Sequence, residues 1–600
     1  MINKNFPYYL ILVTISFIII ACIALAKEQK HNYIKFIVKE DKNIEDSIKE
    51  VIKKLNELAR DMEKRAKIYN TINQKSYWES EAKKSFLKYL QSEGYYGATI
   101  ETEFVERKSV IIFYINKGQR YKIKKLFFRY VENSNHNIKT PNFIDLAIKE
   151  GDFAIANNII DVQNSIEKYI ENNNCLLSLE VKHDAIIDNL DDTISLDFVI
   201  NAGPNAKIKS FDFNGLVSVN SDYLKKIIPF KNGQCFRCSL ITEAQESLQK
   251  TGLFTIVTAE IPTYTDNNAE VPVIFNLKEG KHRTLKAGFS YGTDMGFGAT
   301  AGWNHRNFLG NGETVKTELF ANQKEQIADL VFTQPFYKQD NQTLKIGLSL
   351  ENIVSKAFNS RDGSVLIGVE RKISEIWTTG VSGKYSYSVI KDTQSKRNFS
   401  FLSAPLFVKR DTKNNLLNPN KGNEIQLKVE PFYPIKKEGK SFLKSEVKMG
   451  KYIPCRTKLD PVIAVRAILG SISGAKSAKI PANERFYTGG VGSVRGYAYQ
   501  FAGELDEKNR PIGGRSMIEA NVELRIKVKN NIGLVGFFDS GNVYSSITPL
   551  FNQKMFQGYG FGIRYFTEFA PFRLDVAFPL KGRKKIDKDF QVYFGIGQSF

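Results

Sequence analysis

Two separated stretches of this 600-residue chain carry complementary groups. Arg485–Tyr497 reads RFYTGGVGSVRGY, a glycine-rich segment with Arg495 near its end. Gly533–Tyr544 reads GLVGFFDSGNVY, an apolar, strand-like run that holds Asp539 before Ser-Gly. A guanidinium presents a planar fork of donors that matches a carboxylate in two parallel hydrogen bonds. An aspartate in an aromatic strand is costly to bury unless it is paired or wet. Together these predict that Arg495 meets Asp539 inside a larger body. Other reactive chemistry is sparse. The histidines at 31, 136, 183, 282 and 305 are scattered, and no Ser/His/Asp set, phosphate loop or carboxylate pair stands out. No enzymatic role, cofactor or metal is expected. Cys235-Phe-Arg-Cys238 has the spacing of half a metal site, but zinc needs two further ligands and none is near. A local disulfide or two thiols in a loop is the expectation there.

The body that positions these groups has several domains, because 600 residues exceed one ordinary core. A net charge of +21 fits a basic, soluble surface or contact with anionic lipid. No nucleic-acid motif accompanies it. Residues 1–26 read as a secretory signal: Lys4, an apolar stretch over Tyr8–Ala21, then Ala24-Leu25-Ala26 before the cleavage site. Cys22 leaves lipidation as the alternative processing. No later run of about 18 apolar residues appears, so no membrane helix is expected.

The N-terminal half repeats itself. Ile115–Ile123, Ile200–Ile208 and Leu277–Leu285 share one phrase around Gly118, Gly203 and Gly280, at intervals of about 80 residues. The domains are therefore set at 27–118, 119–203 and 204–281, with 282–600 as a fourth body. The third unit reads β-α-α-β-β. Its first helix is Asn220–Ile228, with Asn220 or Ser221 as the cap. Its second is Cys238–Thr251, with Leu240, Ala244 and Leu248 on one face and Gly252 as the stop. The second unit's helix ends at Asn174-Cys175-Leu176. In the first unit Lys42–Tyr69 adds an amphipathic helix with Ile44, Ile48, Val51, Leu55, Leu58 and Met62 at helical spacing, read as solvated or as a docking face.

From about His282 onward, segments of about ten residues alternate apolar and polar between Gly/Asn/Asp/Pro turns, the dyad pattern of membrane strands. In Ile518–Ile526, Ile518, Ala520, Val522, Leu524 and Ile526 share one face; Glu519, Asn521, Glu523 and Arg525 share the other. Roughly sixteen strands fit, at about 9–11 residues each plus connections. The fold class is α+β repeats followed by a 16-stranded antiparallel transmembrane β-barrel, closed because lipid tolerates no open sheet edge. The last strand is Phe590–Phe600, with Gln598 where a targeting strand usually has an apolar residue. Gly595 and Gly597 weaken its pairing with the first strand, Thr284–Tyr291.

Four motifs carry a resemblance. Gly489, Gly490, Val494, Arg495, Gly496 and Tyr497 resemble the lumen-loop motif of the bacterial outer-membrane insertase superfamily. Phe538, Asp539 and Gly541 resemble its aspartate strand motif. Arg306–Glu313 (RNFLGNGE) resembles its second-hairpin motif, and Arg410–Gly422 its mid-barrel turn. The repeats resemble POTRA domains, which pair partner strands along a sheet edge. Three repeats are most similar to the TamA branch, and a first unit starting near Tyr33 leaves no space for a plug helix. The resemblance implies a barrel in the bacterial outer membrane with its arm in the periplasm. It implies β-barrel and autotransporter clients, a TamB-like periplasmic partner and contact with outer-membrane lipid. It also implies that Arg495 sits on an extracellular loop folded into the lumen, with Glu523 as a second carboxylate partner beside Asp539. A seam at Gly595, Gly597 and Phe600 would open sideways. A two-partner-type secretion pore and a lipid-transfer conduit are the alternatives.

Overall fold

The computed structural model describes residues 75–600 apart from 106–109, 133, 392–395, 456–459, 530, 551–552, 569 and 599–600, together with 35–40 and 54–59 except 56. The signal-like segment with Cys22, most of Lys42–Tyr69, and Phe600 lie outside these residues. The chain divides into two compact units: Met1–Ser210 with Lys231–Leu240 and Ile261–Val273, and Phe211–Phe230 with Ile241–Glu260 and Ile274–Phe600. The boundary runs through the third repeat.

The first unit contains two three-stranded sheets of one pattern. In the first, Val110–Asn116 lies between Lys35–Glu40, parallel to it, and Thr99–Val105, antiparallel. Helix Lys75–Ser92 covers it through Ala82, Phe86 and Leu90. Leu55 and Ala59 are buried in that same core. In the described part of the amphipathic segment Leu55 and Ala59 pack on their own repeat; Met62 and the rest of the reading lie outside the described residues. In the second sheet Thr193–Ala202 lies between Lys122–Tyr130 and Leu179–Asp188. Ile159, Val162, Ile166 and Ile170 recur at helical spacing and bury helix Ala156–Asn173 against it. This repeat has only a 3₁₀ turn, Phe143–Asp145, where a first helix is expected.

The cysteine expectation is corrected as well. Cys175 pairs with Cys235, 60 residues away, and Cys238 instead begins helix Cys238–Lys250. Arg237 Nη2 donates to Asn172 O at 3.0 Å, and Ser239 N donates to Glu171 Oε1 at 2.7 Å. These bonds seat the turn on the end of helix Ala156–Asn173, which brings Cys235 to Cys175.

The third repeat has sheet order Lys207–Asn214, Glu270–Glu279, Phe254–Glu260. Its helices are Ser221–Lys225 and Cys238–Lys250, the latter burying Ile241, Ala244 and Leu248. Asn220 makes no cap bond; its amide donates to Asn311 Oδ1 at 2.9 Å.

The rest of the second unit is a closed antiparallel barrel running from Arg283–Gly292 to Gln591–Ile596. Lys396–Ser403 and Leu406–Asp411 both pair with Trp377–Lys391 and with Gly422–Pro434, so they are two halves of one stave, broken at Ala404-Pro405. Proline cannot donate to the ladder, which accounts for the break. Counted this way the barrel has sixteen staves. Its core is inverted. In Ser516–Lys529 the polar Glu519, Asn521, Glu523 and Arg525 are buried, while Val522 and Leu524 are exposed. The polar face is the lumen and the apolar face is the outside, as lipid requires.

Candidate lumen site and seam

The third repeat joins the barrel at the end where Arg283–Gly292 begins, through the hairpin Arg306–Glu313. Asn307 is buried; its amide donates to Ser218 O at 3.0 Å and its carbonyl accepts Gly312 N at 3.0 Å. Gly310 and Gly312 have φ of +101° and +71°, and a Cβ on Gly312 would enter the Tyr223 ring. Only glycine satisfies both conditions. Across from this hairpin, Glu279 accepts the backbone N–H groups of Val217, Ser218 and Val219 at 2.8, 2.9 and 3.0 Å.

At the far end, the connection between Val462–Ser473 and Ser516–Lys529 folds into the lumen and delivers Arg495. Its side chain is 1% exposed, and those of Asp539 and Glu523 are 0%. Nε and Nη2 reach Asp539 Oδ2 and Oδ1 at 2.6 and 2.9 Å, the bidentate fork. Nη1 donates to Glu523 Oε1 at 2.7 Å, and the guanidinium lies 3.5 Å from the centroid of the Phe537 ring. The backbone N of Arg495 adds a 3.2 Å bond to Asp539 Oδ2. Val494 and Tyr497 are buried beside it. Gly489, Gly490 and Gly496 all have positive φ, and a Cβ on Gly496 would strike the carbonyl of Phe578. Gly541 faces Val494 at a distance that excludes a side chain. Phe538 is not part of the contact: it points outward and is 41% exposed, while its neighbour Phe537 stacks on the arginine. The alternation of strand faces requires this of adjacent residues.

Several participants escaped the sequence reading. Arg525 donates to Glu523 Oε2 at 2.9 Å and to Pro419 O at 3.3 Å, tying the mid-barrel turn to the arginine cluster. Gln598 belongs to the same assembly. It donates from N to Leu417 O at 3.4 Å and from Nε2 to Asn418 Oδ1 at 2.9 Å, and accepts from Arg564 Nε at 2.9 Å. Its polarity at an apolar position is thereby explained. Gly558, Gly560 and Gly562 line the lumen side of Phe556–Tyr565, and a Cβ on Gly558 would collide with the Arg495 carbonyl. The alternating glycines between Tyr559, Phe561 and Ile563 were a readable sign of a wall with something pressed against it.

The seam is short. Among the described residues only Tyr291↔Phe594 and Gly292↔Tyr593 pair the first and last strands, and just beyond them Thr293 N donates to Val592 O at 3.0 Å. Continuing that register would set Ser290 against Gly595 and Gly288 against Gly597. Pairing stops where these glycines begin, and Gly597 turns away at φ +89° with its N–H on Pro571 O at 2.7 Å.

Among the described residues no group of His, Cys, Asp and Glu has the arrangement of a metal site. Residues 307–600 match the Omp85 superfamily domain, and residues 206–280 match POTRA, the surface antigen variable number repeat. The chain is 23% identical over 536 residues to the outer membrane protein assembly factor BamA of Nitratidesulfovibrio vulgaris, covering 85% of this chain and 66% of that one. It is 24% identical over 263 residues to BamA of Buchnera aphidicola, covering 42% of this chain and 41% of that one. It thus spans 66% and 41% of the lengths of these curated relatives. Its fold is similar to the crystal structure of BamA from Haemophilus ducreyi lacking POTRA domains 1-3, with a TM-score of 0.64 at 17% identity over 79% of this chain and 100% of that one.

Proposed function

The chain is a member of the Omp85 superfamily, an outer-membrane barrel with a periplasmic POTRA arm, and from that premise we propose that it helps insert β-barrel proteins, autotransporters among them, into the outer membrane. The observation that carries this reading is the two-pair seam. It leaves the backbone of Arg283–Ser290 as a strand edge facing the last strand, inside a sheet closed everywhere else. A client strand adds to such an edge through main-chain hydrogen bonds, with little demand on its sequence. The sheet edges Thr99–Val105 and Leu179–Asp188 of the arm offer the same chemistry to a client or partner. Ile186 and Ile187 on the latter are exposed. A TamB-like, periplasm-spanning protein is the partner that this three-repeat arm suits. A secretion pore has less support, because the loop carrying Arg495 occupies the lumen.

A crosslink tests this. Tyr291→Cys with Phe594→Cys places two thiols on directly opposed residues of the seam. Oxidation should abolish insertion of a barrel client into liposomes containing the purified protein, and a reductant should restore it. Undiminished insertion by the fully crosslinked barrel would overturn the proposal.

A further inference from the structure

Three lumen-facing positions lie in a row where the last strands meet the arm end of the barrel. Arg564 is directly opposite Arg573, and Arg573 is directly opposite Gly595. Like charges directly across a ladder repel. Asp575 is the carboxylate within ion-pair distance of this pair: it binds Arg564 Nη1 at 2.5 Å, and its Oδ2, 3.6 Å from Arg495 Nη1, has no hydrogen-bond partner among the described residues. Arg564 Nε is engaged by Gln598. Arg564 Nη2 and Arg573 Nε and Nη1 remain, sealed from solvent and without a hydrogen-bond partner among the described residues. Arg573 makes no ion pair among the described residues, and Arg564 is fully buried. Arg466, Arg495, Arg525 and Arg564 are buried together with Glu519, Glu523, Asp539 and Asp575; Arg573 is the arginine beside them that no ion pair holds among the described residues. A guanidinium fork in that state calls for an oxyanion.

The way in is the seam. Gly595 puts no side chain beyond Arg573, and a Cβ there would lie 3.3 Å from Nε. Gly595 is also the first residue past the two seam pairs, so no ladder closes the wall in front of it. Outside, Phe572, Leu574, Phe594 and Ile596 are exposed to the membrane around this point. Arg573 is the second residue of a strand that starts at the periplasmic end, the depth of the inner-leaflet headgroups.

We infer that Arg573 and Arg564 bind the phosphate of a phospholipid headgroup that enters the unpaired part of the seam from the periplasmic leaflet. The acyl chains stay outside on the apolar face, and Gln598 orients Arg564. The inference rests on the membrane placement, and it does not depend on the insertase reading. The phosphate supplies the partner that Arg573 lacks and fills the edge until another strand displaces it.

Native mass spectrometry of the full-length protein in detergent, titrated with phosphatidylglycerol and with diacylglycerol of the same chains, tests this. Wild type should retain one phosphatidylglycerol and no diacylglycerol. Arg573→Gln should lower that retention roughly tenfold, the loss of a charge-assisted contact, and Arg573→Lys should fall between. Gly595→Val keeps the charge of Arg573 but fills the space beside its Nε, so it should give the same loss even if Arg573→Gln folds poorly by heat-modifiable migration. Equal retention by wild type and both folded variants would overturn the inference. Displacement by inorganic phosphate as tight as the lipid would overturn it too, because the site would then read a free oxyanion. Client insertion is not the readout, so either result leaves the insertase proposal standing.

Discussion

Strands Ser516–Lys529 and Ile532–Tyr544 are joined by thirteen residue pairs, whereas among the described residues the first and last strands are joined by two. Both ladders belong to one closed sheet. The difference lies in what backs them. Behind the long ladder, Arg495 is anchored to a carboxylate on each strand. On the paired residues of the seam the same loop makes long contacts, Gly496 N to the Tyr593 hydroxyl and that hydroxyl to Tyr497 O, each 3.4 Å. The wall has a long ladder where the loop is held and a short one at the seam, where the proposed strand exchange would take place. The loop therefore serves as a brace on one side and a light touch on the other.

The largest break in this contrast comes from Arg495→Ala. It strands Asp539, which is fully buried, and removing one partner of a buried pair costs about 3–5 kcal/mol. The loop should become protease-sensitive from outside the membrane, and client insertion should fall. Arg495→Lys should rescue poorly, because an ammonium cannot reach Asp539 twice and Glu523 at once. An unchanged cleavage pattern with full insertion would mean the pair does not position the loop.

Gly558→Ala should move in the same direction by a smaller amount, about 1–3 kcal/mol, as overpacking does. The added methyl meets the Arg495 carbonyl without touching any charge. If the loop is merely a plug, its displacement should leave insertion intact; if it braces the wall, protease sensitivity and insertion should change together.

Part of this was legible in the sequence. The alternation in Ile518–Ile526 gave the lumen face, because period-two patterning survives inversion of the core. The pair Arg495–Asp539 was readable because an aspartate in an apolar strand demands a counter-charge. The Cys175–Cys235 bond was not readable, since 60 residues of intervening fold bring the two together. Arg564 and Arg573 were equally hidden. Each sits in an ordinary alternating strand, and only the register across two ladders sets them side by side. The cap expected at Asn220 failed for a similar reason: its amide binds Asn311, a partner 91 residues away.

The smallest expected effect concerns the arm and asks whether the contrast between wall and seam survives when the arm is loosened. Burial alone would raise the Glu279 carboxyl. The Val217 N–H, the Ser218 hydroxyl and the Ser218 and Val219 N–H groups outweigh it and hold the group at about 2, below its usual 4.5. A depressed carboxylate contributes stability that is fully present above pH 4.5 and is lost as pH falls through about 2. Amide exchange at residues 217–219 should therefore be flat from pH 7 to 5, after correction for intrinsic rates, and its protection should fall between pH 4.5 and 2. Glu279→Gln should remove that step and lower protection at neutral pH. If the wall and the seam keep their own protection across the same range, their difference is a property of the barrel. A seam that opened in step with the Glu279 titration would instead show that the arm sets it, and the contrast between the two ladders would lose its meaning.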